Sequence, residues 1–131
     1  MSLLLDSNVC IAFLNGTDEN VRERLLAETS SDIYLCSVVK AELLYGARNS
    51  GRVEQNLERL REFFSPFDSL PFDDDAAERY GVIRAQLRRE GNPIGANDML
   101  IAAIALTADV AVVTRNRQEF RRVAGLRVET W

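Results

Sequence analysis

The sequence predicts an α/β fold in which a parallel sheet is covered by helices on both faces. Two observations support this. Short apolar segments alternate along the chain with longer segments whose apolar residues recur at helical spacing. Such alternation is typical of strands joined by helical crossovers. In addition, the first apolar segment, Leu3–Leu5, ends at Asp6, as expected for a central strand that delivers a polar side chain at its carboxyl end.

The chain of 131 residues, 47% of them hydrophobic, is expected to form one domain over residues 1–131. Its apolar run at 99–108 is shorter than the ~20 residues that a membrane span requires, and the N-terminus lacks the basic and apolar regions of a signal peptide. We expect a cytoplasmic protein with no membrane contact. Cys10 and Cys36 can pair, but isolated among apolar residues they are better interpreted as buried free thiols.

The first half of the chain is predicted to contain two strands and four helices. Ser7 or Asn8 is expected to cap the first helix and Ser37 the third, because their side chains accept hydrogen bonds from free backbone N–H groups. Gly16 and Pro66 follow the first and fourth helices and mark their ends. The predicted elements are the strand Leu3–Leu5, helices 9–14 and 19–27, the strand Ile33–Cys36, and helices 37–47 and 52–64.

The second half begins with a weak strand and continues with two long helices. Three consecutive acids at 73–75 open the first of these helices, where they favour the helix dipole. A loop with two glycines and a proline separates it from an almost wholly apolar helix that begins at Ala96 or Asn97. The predicted elements are the strand 67–72, helix 73–90, loop 91–95, a helix ending at 106, the strand 110–113, a short helix 118–123 and the strand 126–128.

The composition excludes several kinds of catalytic site. No histidine is present, which removes Ser-His-Asp and Cys-His triads, imidazole zinc sites and a histidine base. Of the 16 basic residues only Lys40 is a lysine, and no phosphate-binding GxxxxGK[ST] motif occurs. The net charge of −4 does not favour nucleic acid binding by overall charge. The acids are either gathered around a cation or dispersed on the surface.

Two acids lie in apolar surroundings in the first third of the chain. Asp6 follows the leucine strand. The alternative interpretation is that it merely caps the next helix. Glu42 lies in a segment in which only Lys40 and Glu42 interrupt the apolar residues, so we expect its helix to be buried on most sides. An ionised carboxylate there requires a cation, hydrogen bonds or an arginine partner. Alternatively, Glu42 lies on a narrow solvated edge.

Two further polar residues occupy comparable places later on. Asp98 precedes the apolar segment 99–106, so it lies in the first turn of a buried helix, where plain capping by Asp98 or Asn97 is the alternative. Asn116 follows the strand 110–113 and can be an ordinary loop residue. Together these positions supply oxygen ligands alone, which select Mg²⁺ or Mn²⁺. Such ions activate water and neutralise a phosphodiester transition state.

The same stretches resemble PIN-domain ribonucleases, and more closely the VapC toxins of bacterial VapBC toxin–antitoxin pairs. The resemblance runs nearly end to end and keeps the family's order and spacing. Its motifs are Leu-Leu-Asp-Ser-Asn at 4–8, Glu-Leu-Leu-Tyr-Gly-Ala at 42–47 within 37–47, Tyr-Gly-Val-Ile-Arg-Ala at 80–85, the segment 93–103 around Asp98, and Val-Thr-Arg-Asn at 113–116 followed by Glu-Phe at 119–120.

The resemblance implies a three-layer α/β/α fold around a parallel sheet of about five strands. It also implies a metal-dependent endoribonuclease that acts on structured RNA, frequently tRNA, as a homodimer. A VapB-type antitoxin would inhibit it, and operator DNA would be contacted only through the antitoxin. The metal ligands implied are Asp6, Glu42 and Asp98. Asn116 stands where the family often has Asp, so one tightly held ion is expected. Ser7, in place of the usual Thr, and Asn8 are expected to support the ligands.

Five arginines are candidates for contacts with RNA phosphates or with acids of the antitoxin: Arg84, Arg88, Arg89, Arg115 and Arg117. Solvated helix faces are the alternative interpretation. Because Asn116 carries no charge, a second hypothesis is a catalytically weak PIN-like module that acts through antitoxin and DNA binding. A phospho-acceptor receiver domain is a third, but it needs a lysine after a late strand, whereas Lys40 lies in an early helix.

Overall fold

The computed structural model describes residues Met1 to Trp131 and contains one five-stranded sheet. The strands lie in the order β3-β2-β1-β4-β5, and every neighbouring pair is parallel. The predicted α/β class, the parallel sheet of five strands and the central position of the first strand are therefore confirmed. The strands are β1 (Leu3–Leu5), β2 (Ile33–Cys36), β3 (Asp68–Leu70), β4 (Ala111–Val113) and β5 (Val128–Glu129).

Seven α-helices flank the sheet in a three-layer α/β/α arrangement. No helix combines the length and the apolar character needed to cross a membrane. A single 3₁₀ turn, Ser30–Asp32, precedes β2. The helices are α1 (Ser7–Asn15), α2 (Glu19–Ala27), α3 (Ser37–Arg48), α4 (Val53–Phe64), α5 (Asp74–Glu90), α6 (Ala96–Ala108) and α7 (Arg117–Phe120).

One hydrophobic core holds the sheet and helices together. It consists of 33 buried residues, including every residue of β1 and β4. Helix α6 buries five consecutive residues, Ile101 to Ala105, because α5 packs along it on the outside. Both cysteines are buried and free, as the sequence predicts. Burial raises the pKa of Cys36 to about 11, so this thiol stays protonated at neutral pH.

Several predicted boundaries are wrong by a few residues. The last strand is Val128–Glu129 rather than 126–128, because pairing with Val112 and Val113 of β4 sets its register. Helix α7 ends at Phe120 rather than at 123, and α6 continues to Ala108 rather than stopping at 106. Ser37 is the first residue of α3 and does not cap it, since the cap position falls on Cys36, which makes no capping bond.

The parallel sheet determines where the polar residues meet. Because all strands point the same way, their carboxyl ends form one edge, and ligands of open α/β sheets bind outside that edge. Asp6 follows β1, Ser37 follows β2 and Thr114 follows β4 at this edge. The loop after β4 and the first turns of α1 and α3 therefore approach one another from three neighbouring strands.

Candidate active site

Asp6 is both the cap of α1 and a buried acid at the sheet edge. Its side chain is only 3% exposed. Oδ1 accepts a hydrogen bond of 2.8 Å from the backbone N–H of Ser7, and Oδ2 accepts one of 2.7 Å from the hydroxyl of Thr114. The expectation that Ser7 or Asn8 caps α1 is therefore wrong, because the Asp6 carboxylate takes this role. Burial raises the pKa of Asp6, and the bonds from Thr114 and Ser7 offset part of that rise.

Asn116 connects Asp6 to two further acids. Its Nδ2 donates hydrogen bonds of 2.9 Å to Asp98 Oδ2 and 2.6 Å to Glu119 Oε2. Its backbone N–H donates a bond of 2.9 Å to Thr114 Oγ1, whose hydroxyl donates to Asp6. A continuous chain of hydrogen bonds therefore runs from Asp98 and Glu119 through Asn116 and Thr114 to Asp6. Asn116 is a cross-link within this chain rather than an ordinary loop residue.

Asp98 lies in the first turn of α6 but does not cap the helix. The cap position is Gly95, and neither Asn97 nor Asp98 makes a capping bond. Burial, a hydrogen bond shared with Glu119 and the charges of Asp6 and Glu119 raise the pKa of Asp98 to about 7. The same shared bond lowers the pKa of Glu119. In the absence of a cation, Asp98 and Glu119 therefore hold one proton between them near neutral pH.

Glu42 faces the charge of Asp6 from α3. Burial and the negative charge of Asp6 raise the pKa of Glu42, while the side chains of Asn97 and Ser7 act in the opposite direction. No arginine forms a salt bridge with Glu42. The expectation that α3 is buried on most sides is wrong, because Leu44 is 38% and Tyr45 69% exposed. Glu42 is half-buried at the border between this exposed apolar face and the core.

The sequence reasoning did not select Glu119 as a site residue. Glu119 lies three residues after Asn116 in the first turn of α7, so both side chains project from the same side of that turn. It adds a carboxylate where Asn116 supplies none. The signal was present in the motif at 113–120, which includes Glu119. A search for acids in the first turn of the helix that follows each strand would have identified it.

The other predicted residues have two different roles. Asn8 Oδ1 accepts a 3.3 Å bond from the backbone N–H of Arg115, and the Arg115 guanidinium binds the Asp18 carboxylate. Arg115 therefore ties the loop after β4 to α1 and to the start of α2. The remaining predicted contact residues are exposed and form no salt bridge: Arg84, Arg88, Arg89 and Arg117.

The donor set of this acid cluster (Asp6, Glu42, Asp98 and Glu119) fits a hard divalent cation. All donors are oxygens, which is the ligand type that such cations prefer. Burial and neighbouring negative charges raise the pKa of Asp6, Glu42 and Asp98. A Cβ added at Gly95 would lie 3.5 Å from Asp98 Oδ2 and 3.9 Å from Glu119 Oε2, so glycine leaves the space beside them open. No three acids are arranged to hold an ion directly, and Asp98 shares a hydrogen bond with Glu119.

The raised pKa of Asp98 predicts how stability depends on pH. Between the ordinary pKa of 3.8 and about 7 the folded chain holds more protons at this site than the unfolded chain. The free energy of unfolding contributed by Asp98 therefore falls as the pH rises from about 4 to about 7. The lowered pKa of Glu119 opposes part of this slope.

Thermal melts of wild type and Asp98→Asn in EDTA across this range measure the contribution of Asp98. We expect the wild type to lose stability relative to the variant as the pH rises. Added Mg²⁺ should raise the melting temperature of the wild type most near pH 7, because the cation then replaces the proton. A constant difference between the two proteins at all pH values would contradict the raised pKa.

Comparison with known proteins agrees with this architecture. Residues 3–126 match the PIN domain family. The chain belongs to the PIN domain family. It is 39% identical over 131 residues to the tRNA(fMet)-specific endonuclease VapC of Salmonella typhimurium, covering 100% of this chain and 98% of that protein. It is 35% identical over 132 residues to ribonuclease VapC2 of Rickettsia felis, again covering 100% of this chain and 98% of the relative.

Solved structures show the same PIN fold. The crystal structure of DNA-bound VapBC from Salmonella typhimurium matches with a TM-score of 0.93 at 39% identity, covering 100% of this chain and 98% of that chain. VapBC2 from Rickettsia felis bound to a promoter DNA fragment matches with a TM-score of 0.90 at 34% identity, covering 100% of this chain and 99% of that chain. The predicted family and fold of this PIN domain are thus confirmed.

Proposed function

We propose that this PIN domain is a Mg²⁺- or Mn²⁺-dependent endoribonuclease and the toxin of a toxin–antitoxin pair, with residues 1–131 acting as one domain. The observation that carries the proposal is the acid cluster itself. Three of its carboxylates come from a strand end or the first turn of a helix and the fourth, Glu42, from the middle of α3, and none of them forms a salt bridge with a basic side chain. Buried acids without such partners are costly unless a cation neutralises them.

Asp6, Glu42 and Asp98 are the residues proposed to hold the ion, with Asn116 and Glu119 beside them. A bound Mg²⁺ or Mn²⁺ supplies an activated water and neutralises charge that develops on the phosphate. The Ser7 N–H and the Thr114 hydroxyl hold the Asp6 carboxylate in place. With no histidine in the chain, Glu42 is the proposed acceptor of the water proton, because it is a half-buried carboxylate of the cluster without a basic partner.

The position of Glu119 favours catalysis over the weak-module alternative. That alternative arose because Asn116 replaces an acid and therefore removes a charge. Glu119 lies 2.6 Å from the Asn116 amide and returns a carboxylate to the same place. The cluster thus has the charge that a catalytic metal site requires, which supports the nuclease.

The proposed substrate is structured RNA, in particular tRNA, and the proposed partner is a VapB-type antitoxin. The name of the Salmonella relative specifies tRNA(fMet), and the solved neighbours are VapBC complexes, some with DNA. On this chain a cleft of about 260 Å³ lies between α1, α3 and α4 and reaches Glu42. Ile11 beside it is 46% exposed. An apolar antitoxin segment in this cleft would cover the acid cluster, and operator DNA would then be reached only through the antitoxin.

We also propose that the chain forms a homodimer. The exposed apolar side chains Leu44 and Tyr45, neighbours on α3, support this, because large exposed hydrophobic residues mark interaction surfaces when they are contiguous. Sedimentation of the purified protein at several concentrations tests it. A monomer at all concentrations would contradict the homodimer without affecting the nuclease.

Cleavage of tRNA by the purified chain tests the proposed function. Bulk tRNA is incubated with the protein in Mg²⁺, in Mn²⁺ and in EDTA, and the new RNA ends are sequenced. We expect cleavage with either ion, none in EDTA, and one dominant cut site. Equal cleavage in EDTA would contradict the metal mechanism, and no cleavage with either ion would contradict the nuclease. Growth arrest on expression, relieved by the neighbouring antitoxin gene, tests the toxin role separately.

A further inference from the structure

A second cleft opens beside the acid cluster, between the C-terminal half of α5 and the first turn of α6. Its volume is about 440 Å³. Two arginines of α5 contribute the charged part of its lining, and apolar side chains contribute most of the rest. We call it the α5–α6 cleft; its lining includes Arg84, Arg88, Pro93, Ile94, Ala96 and Met99.

The two arginines of the α5–α6 cleft have no acidic partner. Arg84 and Arg88 are exposed and form no salt bridge, although five other arginines of this chain do. The bond that Arg84 makes runs from Nη1 to the neutral hydroxyl of Tyr80 at 3.0 Å. Because they are four residues apart, the two guanidinium groups lie on one face of α5, roughly 6 Å apart along its axis. They form a doubly positive site that is free to bind anions.

The α5–α6 cleft lies next to Gly95, which borders the acid cluster. Ile94 and Ala96, which line the cleft, flank Gly95 in the chain, and a Cβ at Gly95 would lie 3.5 Å from Asp98 Oδ2 and 3.9 Å from Glu119 Oε2. The connecting loop 91–95 is fixed at one point, because Arg122 Nη1 donates a 2.9 Å bond to the carbonyl of Pro93. A chain lying in the cleft would therefore pass from the two arginines to Asp98 across the open space at Gly95.

We propose that the α5–α6 cleft binds phosphodiester groups of the RNA strand next to the bond that is cut, with Arg84 and Arg88 contacting the phosphates. This proposal rests on the ribonuclease function proposed above and adds a binding track for its substrate. A chain with a net charge of −4 needs local positive charge to hold a polyanion. Among the predicted arginines, Arg115 is bound to Asp18, whereas Arg84 and Arg88 form no salt bridge and line the same cleft.

An acidic protein segment would meet the same charges, but the geometry favours RNA. The cleft adjoins Gly95 at the border of the acid cluster, where the substrate strand must lie if the nuclease acts there.

The double variant Arg84→Gln/Arg88→Gln tests the α5–α6 cleft. Binding of fluorescein-labelled bulk tRNA is followed by fluorescence anisotropy in EDTA over a series of NaCl concentrations. We expect Kd to rise at least tenfold and the slope of log Kd against log [NaCl] to fall by about 1.4 to 1.8, the value for two lost phosphate contacts. KM for tRNA cleavage in Mn²⁺ should rise by a similar factor.

The matched control is Arg48→Gln/Arg79→Gln, which removes the same charge elsewhere. Both arginines are exposed and form no salt bridge. Arg79 lines a different cleft near Thr107 and lies about 7.5 Å along α5 from Arg84 and about 13.5 Å from Arg88. For this control we expect less than a twofold change in Kd. For both double variants we expect melting temperatures within 2 °C of wild type, roughly the scatter for exposed substitutions.

The outcomes separate this proposal from the proposed function. If the Arg84→Gln/Arg88→Gln protein binds and cleaves tRNA like its control while the wild type is active, the cleft proposal is overturned and the nuclease stands. If the wild type binds tRNA through these arginines but never cleaves it, the nuclease fails and the cleft remains. Weaker binding of the antitoxin with unchanged tRNA binding would identify a protein-binding cleft and overturn the proposal.

Discussion

Replacing Asp6 or Asp98 by Asn is expected to abolish RNA cleavage while the fold remains intact. Each change removes one negative charge from the acid cluster and keeps the size of the side chain. The loss of metal-based transition-state stabilisation amounts to several kcal/mol, so we expect the rate to fall by about 100- to 1,000-fold or more. The measurement is the initial rate of tRNA cleavage in Mg²⁺ and in Mn²⁺.

The matched control for Asp6→Asn is Asp73→Asn. Asp73 also caps a helix through its carboxylate, accepting a 2.9 Å bond from the Ala76 N–H at the start of α5, but it lies outside the acid cluster. Asn is nearly as good a cap as Asp, so both variants should fold. We expect Asp73→Asn to cleave at the wild-type rate. If Asp6→Asn and Asp98→Asn also cleave at that rate, the acid cluster is not the active site.

Replacing Thr114 by Val is expected to weaken cation binding without removing any charge. Thr114 is fully buried, and its hydroxyl joins Asp6 Oδ2 at 2.7 Å to the backbone N–H of Asn116 at 2.9 Å. Val has nearly the same shape but leaves both groups without this partner. Loss of a residue that orients metal ligands typically costs about 10- to 100-fold in metal affinity, and we expect a loss of that size here. Titration with Mn²⁺ in a calorimeter, above pH 7, measures it.

Thr114→Ser separates positioning from stability. Ser keeps the hydroxyl but removes a buried methyl group, which costs about 1 kcal/mol of stability. We expect Thr114→Ser to bind Mn²⁺ within about threefold of wild type, because the hydroxyl that orients Asp6 is kept. Its melting temperature should nevertheless fall, because the buried methyl group is lost. If both variants lose metal affinity in proportion to their loss of stability, Thr114 has only a structural role.

The fold was predictable because its signals are local. The leucines of β1 and the valines of β4 are apolar throughout, as in strands buried on both faces, and each is followed by a polar residue at the same sheet edge. β5 was placed too early because Leu126 is apolar, whereas pairing with Val112 and Val113 decides the register. Pairing between distant segments cannot be deduced from the composition of one of them.

The candidate site was only partly predictable, because two of its features depend on three-dimensional contacts. For Asp6 the sequence offered a cap or a site residue as alternatives, yet Oδ1 caps α1 while Oδ2 accepts the hydrogen bond that links Asp6 to Thr114 and Asn116. Glu119 was missed because its approach to Asp98 follows from the packing of α7 beside α6. The exposed face of α3 was interpreted as core because an apolar residue does not reveal whether its own chain or a partner covers it.

The hydrogen bond between Asp6 and Thr114 joins residues 108 positions apart. The acid cluster also includes Glu119, which lies on α7. During synthesis, the complete cluster cannot assemble until residue 119 has left the ribosome. A premature stop codon or frameshift anywhere before residue 119 therefore yields a fragment without the complete cluster.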